Sequence, residues 1–132
     1  MLPIIIALTV HATLTWYDPG RCVELPINCY NSAHPFRMAA GHDARDWYGR
    51  ALACPERFPI GTEFLIRGSR WGLADGRYRC MDRGGAVVVR DDGVVVLDLL
   101  RREPVWNEVL RVKVVFPEAY NVRTDRTRSR NR

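Results

Sequence analysis

Apolar residues in this chain fall in short runs broken by Gly and Pro, and no stretch carries the spacing of a long amphipathic helix. The densest pair of runs is residues 86–89 and 94–100, joined by Arg90-Asp91-Asp92-Gly93. Asp-Gly between Val-rich runs predicts a hairpin, because the left-handed backbone of the turn is cheap for Gly and Asp. Leu14 and Trp16 alternate with Thr13, Thr15 and Tyr17, which predicts a half-buried strand stopped by Asp18-Pro19-Gly20. Further short strands are predicted at 51–55, 63–67, 77–81 and 111–116, and residues 21–37 read as a long irregular loop. Two short helical pieces are expected: 43–48, N-capped by Asp43, and 103–110, with Pro104 in its first turn. The pattern as a whole is that of an all-β domain.

Composition narrows the picture. A chain of 132 residues with 47% hydrophobic content bounds one domain with a single core. The formal charge of +5 suggests a polyanion binder until it is located: the last ten residues hold five Arg against one Asp. The remaining body is close to neutral and has no basic–aromatic stripe, so a specific nucleic-acid partner is not expected. Residues 118–132 read as a disordered Arg-rich tail with little to bury. At the other end, residues 2–10 are an apolar run followed by His11-Ala12, with Val10 and Ala12 at the positions a signal peptidase accepts. No Lys or Arg precedes that run, and it is too short to span a bilayer. Residues 1–12 therefore read either as a secretion signal or as an extra N-terminal strand, with the domain proper at 13–117.

Cys22, Cys29, Cys54 and Cys80 contain no Cys-x-x-Cys pair, which disfavours zinc. Two disulfides fit better, Cys22–Cys29 and Cys54–Cys80 being the preferred pairing, and they imply an oxidising compartment.

The candidate chemistry lies in two carboxylates. Asp98 interrupts a Val/Leu strand, and Asp82 stands before Arg83-Gly84-Gly85. An aspartate in such a strand is costly to bury as an anion, and desolvation raises its pKa toward the range of a general acid. Each has a plainer reading: Asp98 as a cap at a strand end, Asp82 as an acceptor for amides of the Gly-Gly turn. The hydroxyls of Thr13, Thr15 and Tyr17 can line a sugar-binding groove, although Thr and Tyr are also ordinary strand formers.

Four pieces in order carry a resemblance: Thr15-Trp16-Tyr17; Met38-Ala39-Ala40-Gly41; Phe58-Pro59-Ile60-Gly61-Thr62; and Asp82-Arg83-Gly84-Gly85 followed by Leu97-Asp98-Leu99-Leu100. Over residues 13–116 the chain resembles the double-psi β-barrel group. That group includes the 3D domain of lytic transglycosylases, rare-lipoprotein-A-like proteins, and the expansin and family 45 endoglucanase barrels. The resemblance implies a six-stranded double-psi β-barrel with short helices. Two of the 3D family's three aspartates map to Asp82 and Asp98; the third place is held by Cys54, followed by Pro55. A disulfide to Cys80 would replace the lost aspartate as a tie but not as a charge.

What the resemblance implies for function is cleavage of peptidoglycan glycan strands without metal or cofactor, with Asp98 as the acid and Asp82 as its partner. Thr15, Tyr17, Arg83, Gly84 and Gly85 become substrate-binding candidates, and the partner is peptidoglycan or a related polysaccharide. Three alternatives stay open: a hydrolase of the family 45 kind, a non-catalytic, expansin-like wall-binding barrel, and a structural module of a surface or phage-tail assembly with a protein partner. The expected location is secreted, periplasmic or cell-surface, or virion-associated for the scaffold.

Overall fold

The computed structural model describes residues 7–21 and 34–117, and within them six strands close into a mixed β-barrel. The strands are β1 (Ala7–Tyr17), β2 (Ala51–Ala53), β3 (Glu63–Ile66), β4 (Gly76–Asp82), β5 (Val95–Leu100) and β6 (Val109–Val115). Around the barrel they run β1-β5-β2-β4-β3-β6, with β1/β5 and β2/β4 parallel and the other neighbours antiparallel. The all-β expectation holds. Helical structure among the described residues that are assigned to named elements is confined to 3-10 turns at Ala44–Asp46 and Arg70–Gly72.

Period-two burial explains why these sequences close. Leu14, Leu52, Phe64, Tyr78, Leu97 and Val112 project inward and are wholly buried. Outward-facing residues form a second apolar cluster, in which Ala51, Met81 and Leu100 are covered by Met38 and Ala44, with Trp47 and Tyr48 packed against it. That cover fixes residues 34–50 over one flank of the barrel. Asp43 N-caps the first 3-10 turn by accepting from the Arg45 amide at 2.9 Å.

The Asp-Gly turn forms, but the run before it does not become a barrel strand. Val89 and Val95 make an isolated bridge, the Arg90 amide donates to the Val94 carbonyl at 2.9 Å, and Gly93 has φ 84°. The run pairs only where β2 leaves the second edge of β5 open: the Val96 amide donates to the Val88 carbonyl at 2.9 Å, and β2 takes the rest of that edge at Asp98 and Leu99, while β1 fills the other. The expected helix at 103–110 is absent. Val109 and Leu110 open β6 opposite Thr13 and Ala12, and the Glu108 carbonyl accepts from the Leu14 amide at 3.0 Å. Strand pairing thus outcompetes a short helix whose own hydrogen bonds would be few.

β1 runs through the boundary expected between residues 12 and 13. Its first part, Ala7 to Thr13, pairs with β6, and its second, Ala12 to Tyr17, pairs with β5. Cys54 and Cys80 form a fully buried disulfide tying the end of β2 to β4. The Cys22–Cys29 pairing, residues 1–6 and the Arg-rich tail lie outside the described residues. Trp71 is the single described non-glycine residue at positive φ, 57°, a conformation costing an L-residue about 1–2 kcal/mol.

Candidate functional site

The register brings the candidate residues into one row. Thr15 on β1 stands opposite Asp98 on β5, Asp98 opposite Ala53 on β2, and Ala53 opposite Asp82 on β4. All lie on the outer face, since the intervening Leu14, Leu52, Leu97 and Leu99 fill the core. For Asp82 this needs a special device. Strict alternation from the inward-facing Cys80 would turn Met81 out and Asp82 back into the core. A bulge between Leu52 and Ala53 in the β2/β4 register lets Met81 enter the outer cluster while Asp82 also faces outward, toward Tyr17.

Asp98 is half-buried, and its carboxyl is held above the ordinary aspartate range, chiefly by desolvation. The hydrogen bond from Thr15 opposes that rise, and the charge of Asp82 adds to it. Thr15 Oγ1 lies 2.8 Å from Asp98 Oδ1 and 3.1 Å from the Leu97 carbonyl oxygen. A hydroxyl has one proton, so these contacts serve two states. When Asp98 is ionised, Thr15 donates to it. When Asp98 is protonated, the carboxyl donates to Thr15, whose own proton turns to Leu97. Both protonation states are therefore satisfied without moving the backbone.

Asp82 is bound quite differently. Oδ1 accepts from the backbone amides of Ala39 and Arg83, each at 2.9 Å, and Oδ2 accepts from the Tyr17 hydroxyl at 2.9 Å. Three donors converge on it, two of them peptide groups, so it serves as an acceptor and a tie between β1, β4 and residues 38–41. Tyr17 keeps its proton: burial first, then the charge of Asp82, pushes its phenol far above the usual range. Its position between the carboxylates appears in its response to Asp98 as well. The strands bearing the two aspartates are separated by β2, so their backbones stand about 9–10 Å apart, two interstrand spacings. Ala53 stands in register between them and is itself buried.

Thr15, Tyr17, Asp82 and Asp98 thus come together. Arg83 does not join them through its side chain: Nη1 donates to the carbonyls of Pro55 at 2.6 Å and Cys54 at 3.1 Å. Gly84 sits against Val87, where an added Cβ would come within 3.1 Å of Cγ2, and Gly85 borders open space. Two participants escaped the sequence reading. The Ala39 amide could not be found because any residue supplies an amide, and Ala53 because its place between the aspartates is set by strand register. Among the described residues no three His, Cys, Asp or Glu side chains gather into a metal-holding group. Neither a protein-family model nor a curated protein matches this chain.

Proposed function

We propose that the chain is a double-psi β-barrel that cleaves peptidoglycan glycan strands in the manner of a lytic transglycosylase, with Asp98 as its acid and base. The observation carrying this reading is the Asp98–Thr15–Leu97 arrangement, which accommodates the carboxyl both with and without its proton. Desolvation favours the protonated form needed at the start of the reaction. Two parallel and four antiparallel pairings in a closed six-strand barrel favour the double-psi assignment.

In the reaction, Asp98 gives its proton to the glycosidic oxygen as the bond from that oxygen to the anomeric carbon of the muramyl residue breaks. The 6-hydroxyl of the same residue then bonds to that carbon, closing an anhydro ring, and its proton returns to the Asp98 carboxylate. Atoms and charge balance without water. In this reading Tyr17 and Asp82 stand on the side of the carbon on which positive charge develops, and Thr15 follows the proton. The Cys54–Cys80 disulfide fits an oxidising, extracytoplasmic location, and among the described residues no helix is long and apolar enough to cross a membrane.

One observation favours a second reading. The three donors that fix Asp82 are what a purely structural carboxylate would have, as in a non-catalytic wall-binding barrel. Mass spectrometry of purified peptidoglycan after incubation separates the two. Anhydro-muropeptides from wild type and none from Asp98→Asn are the expected result. Water-added reducing ends would replace the transglycosylase with a hydrolase. No product, with co-sedimentation on the wall retained, would leave a binding barrel.

A further inference from the structure

Among the described residues, the exposed tryptophans lie outside the aspartate row. Trp71 is 78% exposed and Trp106 40%, and their rings meet edge to face with centroids 5.7 Å apart. Arg70 lies 4.0 Å over the Trp106 ring and 5.4 Å from that of Trp71. Trp71 has to adopt φ 57° to stand there. A bulky residue in that conformation, with most of its surface in water, gains little for the fold in return.

The turn holding it is nevertheless built firmly. Asp75 Oδ1 accepts from the Ser69 amide at 2.9 Å and its hydroxyl at 2.6 Å, and Ser69 Oγ in turn accepts from the Ala74 amide at 3.0 Å. From the other side, the Glu108 carboxylate takes the Arg70 amide at 3.0 Å. Strain that is braced at both ends, under a side chain that does not pack inward, points to a ligand for that side chain.

Continuity with the aspartate row indicates which ligand. Asn107, next to Trp106, is hydrogen-bonded to Thr13 Oγ1 at 3.0 Å. Thr13 is on the same face of β1 as Thr15, about 6.7 Å further along at two residues' rise. The aromatic pair is thus joined through Asn107 to Thr13, and Thr13 to Thr15 with Asp98, so both groups border the same stretch of β1. An apolar face followed by a line of hydroxyl and amide groups matches a sugar chain, whose rings offer C–H faces and whose rims offer hydroxyls. We infer that Trp71, supported by Trp106 and Arg70, is a stacking platform for a sugar ring of a glycan strand that continues along β1 to Asp98. The inference rests on the glycan-directed reading of the Asp98 site and extends it to a remote subsite.

The test uses the full chain carrying Asp98→Asn, so that nothing is cleaved, with purified peptidoglycan sacculi as the sedimenting probe and chitohexaose as a soluble one. Adding Trp71→Ala or Trp71→Gly is expected to weaken both affinities at least tenfold. Trp71→Gly, which relieves the positive φ, is expected to melt no lower than its parent. Unchanged affinity in both variants would overturn the platform while leaving glycan recognition at Asp98 standing. If the wild type then self-associates and Trp71→Ala does not, the patch belongs to a second copy of the chain. A parent that binds neither probe, with no product from wild type on sacculi, would take down the glycan reading and the platform together.

Discussion

Removing the Cys54–Cys80 cross-link by Cys54→Ala/Cys80→Ala should cost about 5 kcal/mol of stability. The bridge closes a loop of sequence separation 26. Chain-entropy scaling for a loop of that length gives about 12 cal/mol/K, or about 3.5 kcal/mol at 25 °C. Both cysteines are fully buried, and losing two sulfur atoms of roughly methylene size adds about 0.8 kcal/mol each. Single domains have about 5–15 kcal/mol in total, so the variant should be marginal at 25 °C and melt on the order of 15 °C lower. Urea unfolding followed by tryptophan fluorescence, with a thiol assay confirming that Cys54 and Cys80 are bonded in wild type, measures the loss. A bridged wild type exceeding the variant by less than about 1.5 kcal/mol would refute the reasoning, because the unfolded chain would then gain little freedom from the cut. Loosening should also reach the site: the Cys54 amide donates to the Asp82 carbonyl at 3.2 Å, and Ala53 immediately precedes it in the aspartate row.

Asp98→Asn is expected to be more stable than wild type at neutral pH. The folded-state pKa of Asp98 is raised, so its contribution is fully present below the unfolded aspartate value, roughly 3.9, and is lost as pH rises through the folded value. Urea melts across that window should show the variant's advantage vanish on acidification; an advantage independent of pH would contradict the desolvation argument. Arg83→Ala should cost about 1–3 kcal/mol, since its guanidinium serves the Cys54 and Pro55 carbonyls, yet leave wall affinity unchanged once folded. A large drop in affinity at unchanged stability would return Arg83 to the ligand.

Much of this architecture was legible in local patterns. Alternation at Leu14, Leu97 and Val112 marks residues with one face in a core, and a period of two needs no knowledge of the partner strand. The strands near 63–67, 77–81 and 111–116 form within a residue or two of their predicted limits. Asp98 drew notice as a charge in an apolar strand, and its desolvation follows from that setting. The Cys54–Cys80 pairing expected from the sequence also forms.

What composition and period could not convey is competition between segments for the same edge. Residues 86–89 are as strand-like as β5, but β2 takes the Asp98–Leu99 part of the β5 edge and leaves them only a short pairing at Val95 and Val96; residues 103–110 suit a helix until β1 offers Val109 and Leu110 a partner. The bulge beside Ala53 is a register event between two strands, and it alone turns Asp82 out of the core to meet Tyr17. Arg83 sits beside the motif in sequence, but its long side chain is drawn to two carbonyls left without strand partners. The sequence by itself determined which residues seek the interior and which carboxylates would be costly to bury. Only the closed barrel decided which of them meet, because meeting depends on register and on contacts between residues tens of positions apart.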